Sequence, residues 1–384
     1  MTTRKRSRAG WGKIRRLPSG RYQASHIGLD GLRYTGPITY TAKIDAQAWL
    51  AAQHAAIAAG TWTSAAARAD LDAARAVTLG DYAARWLAER TNAKGERLRP
   101  RTVAEYRRLL DGPLAPLTGV ALWQVTPAVI RSWRSALLDT GRATTTARAY
   151  GLLNAIMGTA AADGLIPANP CTIRGGQSTT TGRAVDPPTD DELDTIADAI
   201  PARFRALVLL AAWGGLRYGE ATELRRRDVL VLPDGEIRVR VERAVTNLRG
   251  GFHVGPPKSA AGVRVVTLPP HVGPAVLAHL SDYVGRFPDS LLFPAALDGS
   301  THLPQSSFWR HWDRARRAAD RADLPFHALR HFAGTRYAQA GATLRETMTR
   351  LGHSTPAAAM RYQHTTGRDA DLAARMSTPR KARK

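Results

Sequence analysis

The sequence predicts a multidomain α+β protein. A small three-stranded sheet with one helix comes first, an all-helical bundle follows, and the C-terminal half is mainly helical with a small antiparallel sheet. Three observations predict this. Turn signals punctuate short strand-like runs in residues 1–62, helical periodicity fills residues 78–172, and a period-two stretch interrupts the helical pattern of residues 186–384. A chain of 384 residues is long enough for two or three domains and a substantial core.

In the first module, Pro18-Ser19-Gly20 and Asp30-Gly31 separate the strand-like segments WGKIRRL, RYQASHIG and LRYTGPITY. A helix is expected next, with Asp45 as its cap, Trp49, Leu50 and Ile57 on its apolar side, and Gly60 at its end. Positions 1–33 hold nine Lys or Arg against one Asp. Residues 63–77, rich in Ala with spaced charges, predict a helical linker, and no repeat of solenoid length is visible.

Helix starts recur through residues 78–172. Thr78 precedes LGDYAARWLAER, Thr102-x-x-Glu105 forms a capping box ahead of YRRLL, and Thr126 stands as an N-cap with Pro127 in the first helical position. A longer helix is expected over 143–162, closed by Gly164 and Pro167. Four helices with short links make a compact bundle. Arg101, Arg107, Arg108, Arg131 and Arg134 lie on these helices within reach of phosphates, although a solvated face is the ordinary reading of each. The stretch RGGQSTTTGRAVDPP, 174–188, marks a flexible connection, and the linker is set at 173–185.

The last domain, 186–384, opens with Thr189 and Glu192 in a second capping-box pattern. A helix over 203–213 is stopped by Gly214-Gly215, so Arg217 stands where the chain turns into another helix carrying Glu220 and Leu224. EIRVRVERA then alternates Ile237, Val239 and Val241 with polar residues, and VRVVTLP supplies a second strand. HVGPPKSAAG between them is expected to form the hairpin turn, with Lys258 at its tip end. His327 and Arg330 share a helix face, Gly352-His353 follow a helical run, and Tyr362 comes soon after. Folding these helices together would gather two imidazoles, a guanidinium and a phenol. A phenol can attack phosphorus when positive donors neutralise the phosphate oxygens in the transition state.

Charge narrows the partners independently. Lys and Arg outnumber Asp and Glu by 55 to 32, a formal net charge of +23, which points to nucleic acid. No apolar run approaches the roughly twenty residues that span a bilayer, no lipidation motif is present, and MTTRKRSRAGWGK lacks the apolar region of a signal peptide. With Cys171 as the one cysteine there is no intrachain disulfide, which is compatible with a reducing cytoplasm, and that thiol is expected to be structural.

Gly-Leu-Arg217-x-x-Glu220, His327-x-Leu-Arg330-His331, Leu-Gly-His353 and Arg-Tyr362, in that order, resemble the tyrosine recombinases, the phage integrase family. The resemblance implies an arm-type DNA-binding domain at 1–62, a helical core-binding (SAM-like) domain at 78–172 and the catalytic domain at 186–384. It implies that Tyr362 attacks a scissile phosphate to form a 3′-phosphotyrosyl bond, releasing a 5′-hydroxyl. Arg217 and Arg330 would hold the nonbridging oxygens and His353 would add a hydrogen bond. His327 would assist removal of the phenolic proton, and Lys258 would protonate the leaving oxygen. Lys258 takes the position of the lysine in the family pattern T-K-x-x-x-x-R-x-V, read through Pro257-Lys258 and Arg264, with proline before the lysine and a fifth intervening residue before the arginine as departures. Neither metal nor nucleotide cofactor is implied.

The expected partners are double-stranded DNA attachment sites, further copies of the chain as a homotetramer on paired sites, and an excision factor or host DNA-bending protein. The setting is the cytoplasm of a GC-rich bacterium carrying a phage or another mobile element. Taken singly, each residue has a plainer reading: Arg217 and Glu220 as a surface ion pair, His331 as a structural partner within its helix, Tyr362 as a core aromatic; zinc on His327 and His331 is set aside because the Ala-Leu-Arg between them lacks the Glu of a metalloprotease helix. Two other functions remain open at the level of sequence, a type IB topoisomerase-like relaxing enzyme and a catalytically inactive DNA-binding regulator.

Overall fold

The computed structural model describes residues 11–179, 185–248, 250–257, 259–296, 301–360 and 362. The chain divides into two compact units, one ending at Thr181 and the other beginning at Gly182.

The first unit starts with an antiparallel sheet of β1 (Lys13–Arg16), β2 (Tyr22–Ile27) and β3 (Arg33–Thr35), with Lys13 opposite Ser25 and Ser25 opposite Thr35. Its reversals require left-handed backbone, which Gly20 and Gly31 adopt at φ +81° and +76°. α1 (Lys43–Ala58) crosses β2, and Ala24, Ala46 and Leu50 form a small core. Asp45 does not cap this helix. α1 opens at Lys43 behind Ala42, which makes no side-chain cap, so Asp45 lies inside the first turn and contributes only charge there.

α2 (Ala65–Ala76) leads to a helical body of α3 (Leu79–Glu89), α4 (Pro100–Asp111), α5 (Ala115–Thr118), α6 (Pro127–Asp139) and α7 (Ala143–Ala162). Thr78 and Thr126 cap α3 and α6, accepting the Asp81 and Val129 N–H groups at 3.1 and 3.4 Å. Thr102 does not act as a cap. Pro100, with its φ already helical, starts α4 earlier, and Glu105 instead accepts two nitrogens of Arg108, each at 2.9 Å. Trp86, Leu109, Ile130, Leu153 and Ile156 form the core. Trp86 also donates from Nε1 to the Thr159 hydroxyl at 2.9 Å. Cys171 borders this core, and burial pushes its thiol up to about 12.

In the second unit, α8 (Asp190–Ala199) carries the expected capping box of Thr189 and Glu192. α9 (Ala202–Gly214) ends at Gly215, which is left-handed at φ +68°. α10 (Tyr218–Ala221) is a single turn, so Leu224 lies beyond it and not on the longer helix the sequence suggested. β4 (Val229–Val231), β5 (Ile237–Val241), β6 (Ala244–Leu248), β7 (Gly251–Gly255) and β8 (Arg264–Thr267) follow.

Ile237, Val239 and Val241 face inward as the alternation predicts, and β5 pairs antiparallel with β8, Val239 opposite Val266. The connection between them is more than a turn. A second hairpin, β6–β7, intervenes with Val245 opposite Val254, so His253–Gly255 belong to a strand. Its reversal uses Gly250 and Gly251 at φ +109° and +132°. β4 completes a three-stranded sheet in the order β4-β5-β8.

The remaining helices are α11 (Gly273–Asp282), α12 (Gln305–Ala318), α13 (Ala328–Gln339), α14 (Leu344–Leu351) and α15 (Pro356–Met360). α13 lies against α9, where the Trp213 and Phe332 rings meet edge-on with centroids 5.0 Å apart. Leu207, Leu210, Val239, Phe308, Trp312 and Leu329 share one continuous core around this contact.

Leu210→Ala is expected to cost about 2–5 kcal/mol, because its site is fully enclosed and cannot collapse, while Thr189→Ala should cost about 1 kcal/mol for a lost cap. Urea unfolding of the two variants beside the wild type measures both.

Candidate active site

Arg330 lies on the first turn of α13, and only 1% of it is exposed. Its Nη1 donates to the Gly215 carbonyl at 2.5 Å and its Nη2 to the Leu351 carbonyl. These acceptors end α9 and α14, where carbonyls lack intrahelical partners and the helix dipole is negative. A guanidinium has five N–H donors, so these two bonds leave capacity for a ligand.

Arg264 performs a parallel task. Its Nε donates to the Arg350 carbonyl at 2.8 Å, its Nη1 to the Gly262 carbonyl at 2.9 Å and its Nη2 to Glu220 at 2.9 Å. Arg264 has a register on the same face of β8 as Val266, so period two places it inward, a signal that its charge type obscures.

Arg217 holds the N-cap position of α10, and 38% of its side chain is exposed. Its pair with Glu220 is no surface ion pair, for Glu220 is buried at 2% exposure, receives Arg217 Nη1 at 2.7 Å and also the Arg217 N–H at 3.0 Å. Burial alone would raise the Glu220 carboxyl. The Arg264 charge and hydrogen bond, followed by those of Arg217, outweigh it and hold the carboxyl below its ordinary range.

His327 precedes α13 as its N-cap, and its ring meets His331 edge-on at 5.1 Å. His327 is exposed to solvent at its surface, yet the protein atoms packed around it disfavour its charged form. Together with His331, Arg330 and Arg217, this desolvation lowers it to about 4. His353 follows Gly352, the left-handed C-cap of α14 at φ +62°. Burial and then the charges of Arg330, Arg217, Arg264 and His331 lower it to about 4 as well. Its Nδ1 is buried without a hydrogen-bond partner among the described residues.

Tyr362 follows α15, its N–H bonded to the Ala359 carbonyl at 3.0 Å, and the residue is 5% exposed. Its ring lies nearly parallel to His353 with centroids 5.9 Å apart, and 5.5 Å from His331. Arg217, His327, Arg330, His353 and Tyr362 thus gather around the start of α13 and the end of α14. Lys258 and the segment after Tyr362 lie outside the described residues.

The chain matches the description "Phage integrase, N-terminal domain" over residues 10–59 and "Phage integrase family" over residues 189–368. A prophage phiRv2 integrase of Mycobacterium tuberculosis is 45% identical over 377 residues, covering 98% of this chain and 97% of the relative. Solved structures share the fold, two of them as follows. The Tn1549 transposon integrase in complex with a circular intermediate DNA has a TM-score of 0.64 at 19% identity, covering 78% of this chain and 100% of that one. A lambda integrase dimer bound to a COC' core site has a TM-score of 0.57 at 18% identity, covering 96% of this chain and 98% of that one. The fold is that of the site-specific recombinases that use tyrosine. Within that class, the chain belongs to the phage integrase family.

Removing the Glu220 carboxylate should leave the buried Arg264 charge without its carboxylate partner. Glu220→Ala is therefore expected to lose about 3–5 kcal/mol in urea unfolding. The wild type should also weaken in acid by two routes. Histidines lowered from 6.5 to about 4 bind fewer protons folded than unfolded, so stability falls as pH drops through that window. Glu220, depressed in the fold, contributes stability above its ordinary 4.5 that is lost as pH falls through its lowered value. Urea midpoints measured from pH 7 to pH 3 test both.

Proposed function

We propose that the protein integrates and excises a phage or similar element by cutting and rejoining double-stranded DNA at attachment sites, with Tyr362 as the nucleophile. The observation that carries this reading is the seat of Tyr362, ringed by His331 and His353 beside the helix that bears Arg330. The phenolic oxygen bonds to phosphorus, the bond from phosphorus to the 5′-oxygen breaks, and the strand is held as a 3′-phosphotyrosine. The energy of the phosphodiester is kept in that linkage, so a 5′-hydroxyl of another strand can reverse the step without a nucleotide cofactor.

Arg217, the accessible guanidinium, meets the phosphate first, and Arg330 adds its remaining N–H donors from beneath. His353 supplies a neutral N–H donor. His327 is uncharged at neutral pH and can accept the phenolic proton, becoming a stronger base as the anionic phosphate offsets the neighbouring cations. Lys258 delivers a proton to the departing 5′-oxygen.

The outer parts have roles in the same scheme. The basic sheet module at 1–62 binds arm-type sites, and its small antiparallel sheet suits a major groove. The helical body at 78–172 binds core-type sites, joined by the linkers 63–77 and 173–185 to its neighbours. Four copies act on two paired sites, assisted by an excision factor or a DNA-bending host protein, in the bacterial cytoplasm where the nucleoid lies.

The test is trapping on nicked DNA carrying a candidate attachment site from the flanks of the encoding gene, with a metal chelator present. Wild type should form a detergent-resistant protein–DNA adduct and Tyr362→Phe none, while Arg217→Ala should slow adduct formation on the order of a hundredfold or more. An adduct with Tyr362→Phe would remove that residue as nucleophile.

A further inference from the structure

Gly334 sits in the middle of α13, where glycine weakens a helix, and one turn beyond Arg330 on the same face. Its lack of a side chain has a specific correlate. A Cβ at this position would lie 2.8 Å from both Cγ and Cδ1 of Tyr362 and 3.0 Å from Cδ1 of Leu351. Carbon atoms in favourable contact stay about 3.5–4.0 Å apart, so the tyrosine ring occupies space that only a glycine leaves open.

The point of contact matters. Cγ is the root of the ring, so a push there moves the whole ring and cannot be relieved at a flexible tip. Retreat is limited as well, since His331 and His353 flank the ring and Ala333 and Leu351 are buried with it. The depth of the ring against α13 is therefore set by the backbone of residue 334.

We propose that Gly334 is a positioning residue for strand cleavage, setting how deeply Tyr362 rests on α13 and hence the line along which its oxygen meets the phosphate held beside Arg330. The proposal rests on Tyr362 being the nucleophile. Displacement at phosphorus needs the attacking oxygen nearly in line with the leaving oxygen, and a misplacement of about 1 Å can cost on the order of a hundredfold in rate.

The test compares two nucleophiles at the same phosphate, using the full chain. The first is Tyr362 itself, read as adduct formation on saturating nicked DNA by Gly334→Ala and wild type. The second is hydrogen peroxide supplied to Tyr362→Phe. Its hydroperoxide anion bonds to phosphorus as the bond to the 5′-oxygen breaks, the 5′-oxygen takes a proton, and the strand is cut with no protein attached. Peroxide cutting reads the arginine and histidine machinery without the tyrosine.

Gly334→Ala should slow adduct formation on the order of a hundredfold while DNA affinity holds. Peroxide cutting by the Gly334→Ala, Tyr362→Phe double variant should match that of Tyr362→Phe alone. Adduct formation by Gly334→Ala at the wild-type rate would overturn the proposal. So would equal losses by both routes, which would assign Gly334 to the packing of α13 as a whole. An adduct formed by Tyr362→Phe would sink the nucleophile assignment first and this proposal with it.

Discussion

The second unit is tied together by buried guanidinium groups bonded to carbonyls at helix ends. Arg330 joins the ends of α9 and α14, Arg264 takes the Arg350 carbonyl, and Arg350 in turn donates to the Trp213 carbonyl at 2.8 Å. Last-turn carbonyls need partners outside their own helix, and in a dry interior an unmet carbonyl is costly. Arg330, which meets this need at two helix ends, also lies within electrostatic reach of Tyr362. Positive charge is consequently fixed in place, and in the proposed reaction that removes the reorganisation mobile donors would undergo.

Such crowding of like charge has to be relieved, and two devices relieve it. Glu220 lies between Arg217 and Arg264 and takes a hydrogen bond from each. His327 and His353 stay neutral, which keeps two more positive charges out of the cluster at ordinary pH. A similar arrangement recurs nearby, where buried Glu223 accepts Arg225 at 3.0 Å and Arg243 at 3.2 Å, with His302 on its other oxygen. A chain with a large positive excess thus spends several of its carboxylates inside, beside the arginines that define its interior, and leaves its surface basic.

Much of this was legible in the sequence where a local rule decides the outcome. Thr189 and Glu192 announce α8, and Gly215 ends α9 because it can turn left-handed, whereas His327 stands at the N-cap of α13 and not on a helix face with Arg330. Where two local rules compete, the sequence misleads. Thr102 has the residues of a capping box, but Pro100 starts the helix first. The β6–β7 hairpin escapes a search for alternation because its strands are largely exposed on both faces, and its real signal is the pair Gly250-Gly251. Other features depend on long-range packing. Gly334 reads as a flaw in a helix until Tyr362 is laid upon it, and Arg264 reads as a surface charge until Glu220 meets it.

The chemistry of Cys171 carries a practical consequence. With its pKa pushed up to about 12, nearly all of that sulfur is protonated at neutral pH, and the thiolate that reacts with maleimides or iodoacetamides is scarce. The natural background for thiol-directed dyes is accordingly low. A cysteine introduced on an exposed face would take up a fluorophore selectively, and individual molecules could be followed along a stretched duplex without first stripping the protein of its own sulfur.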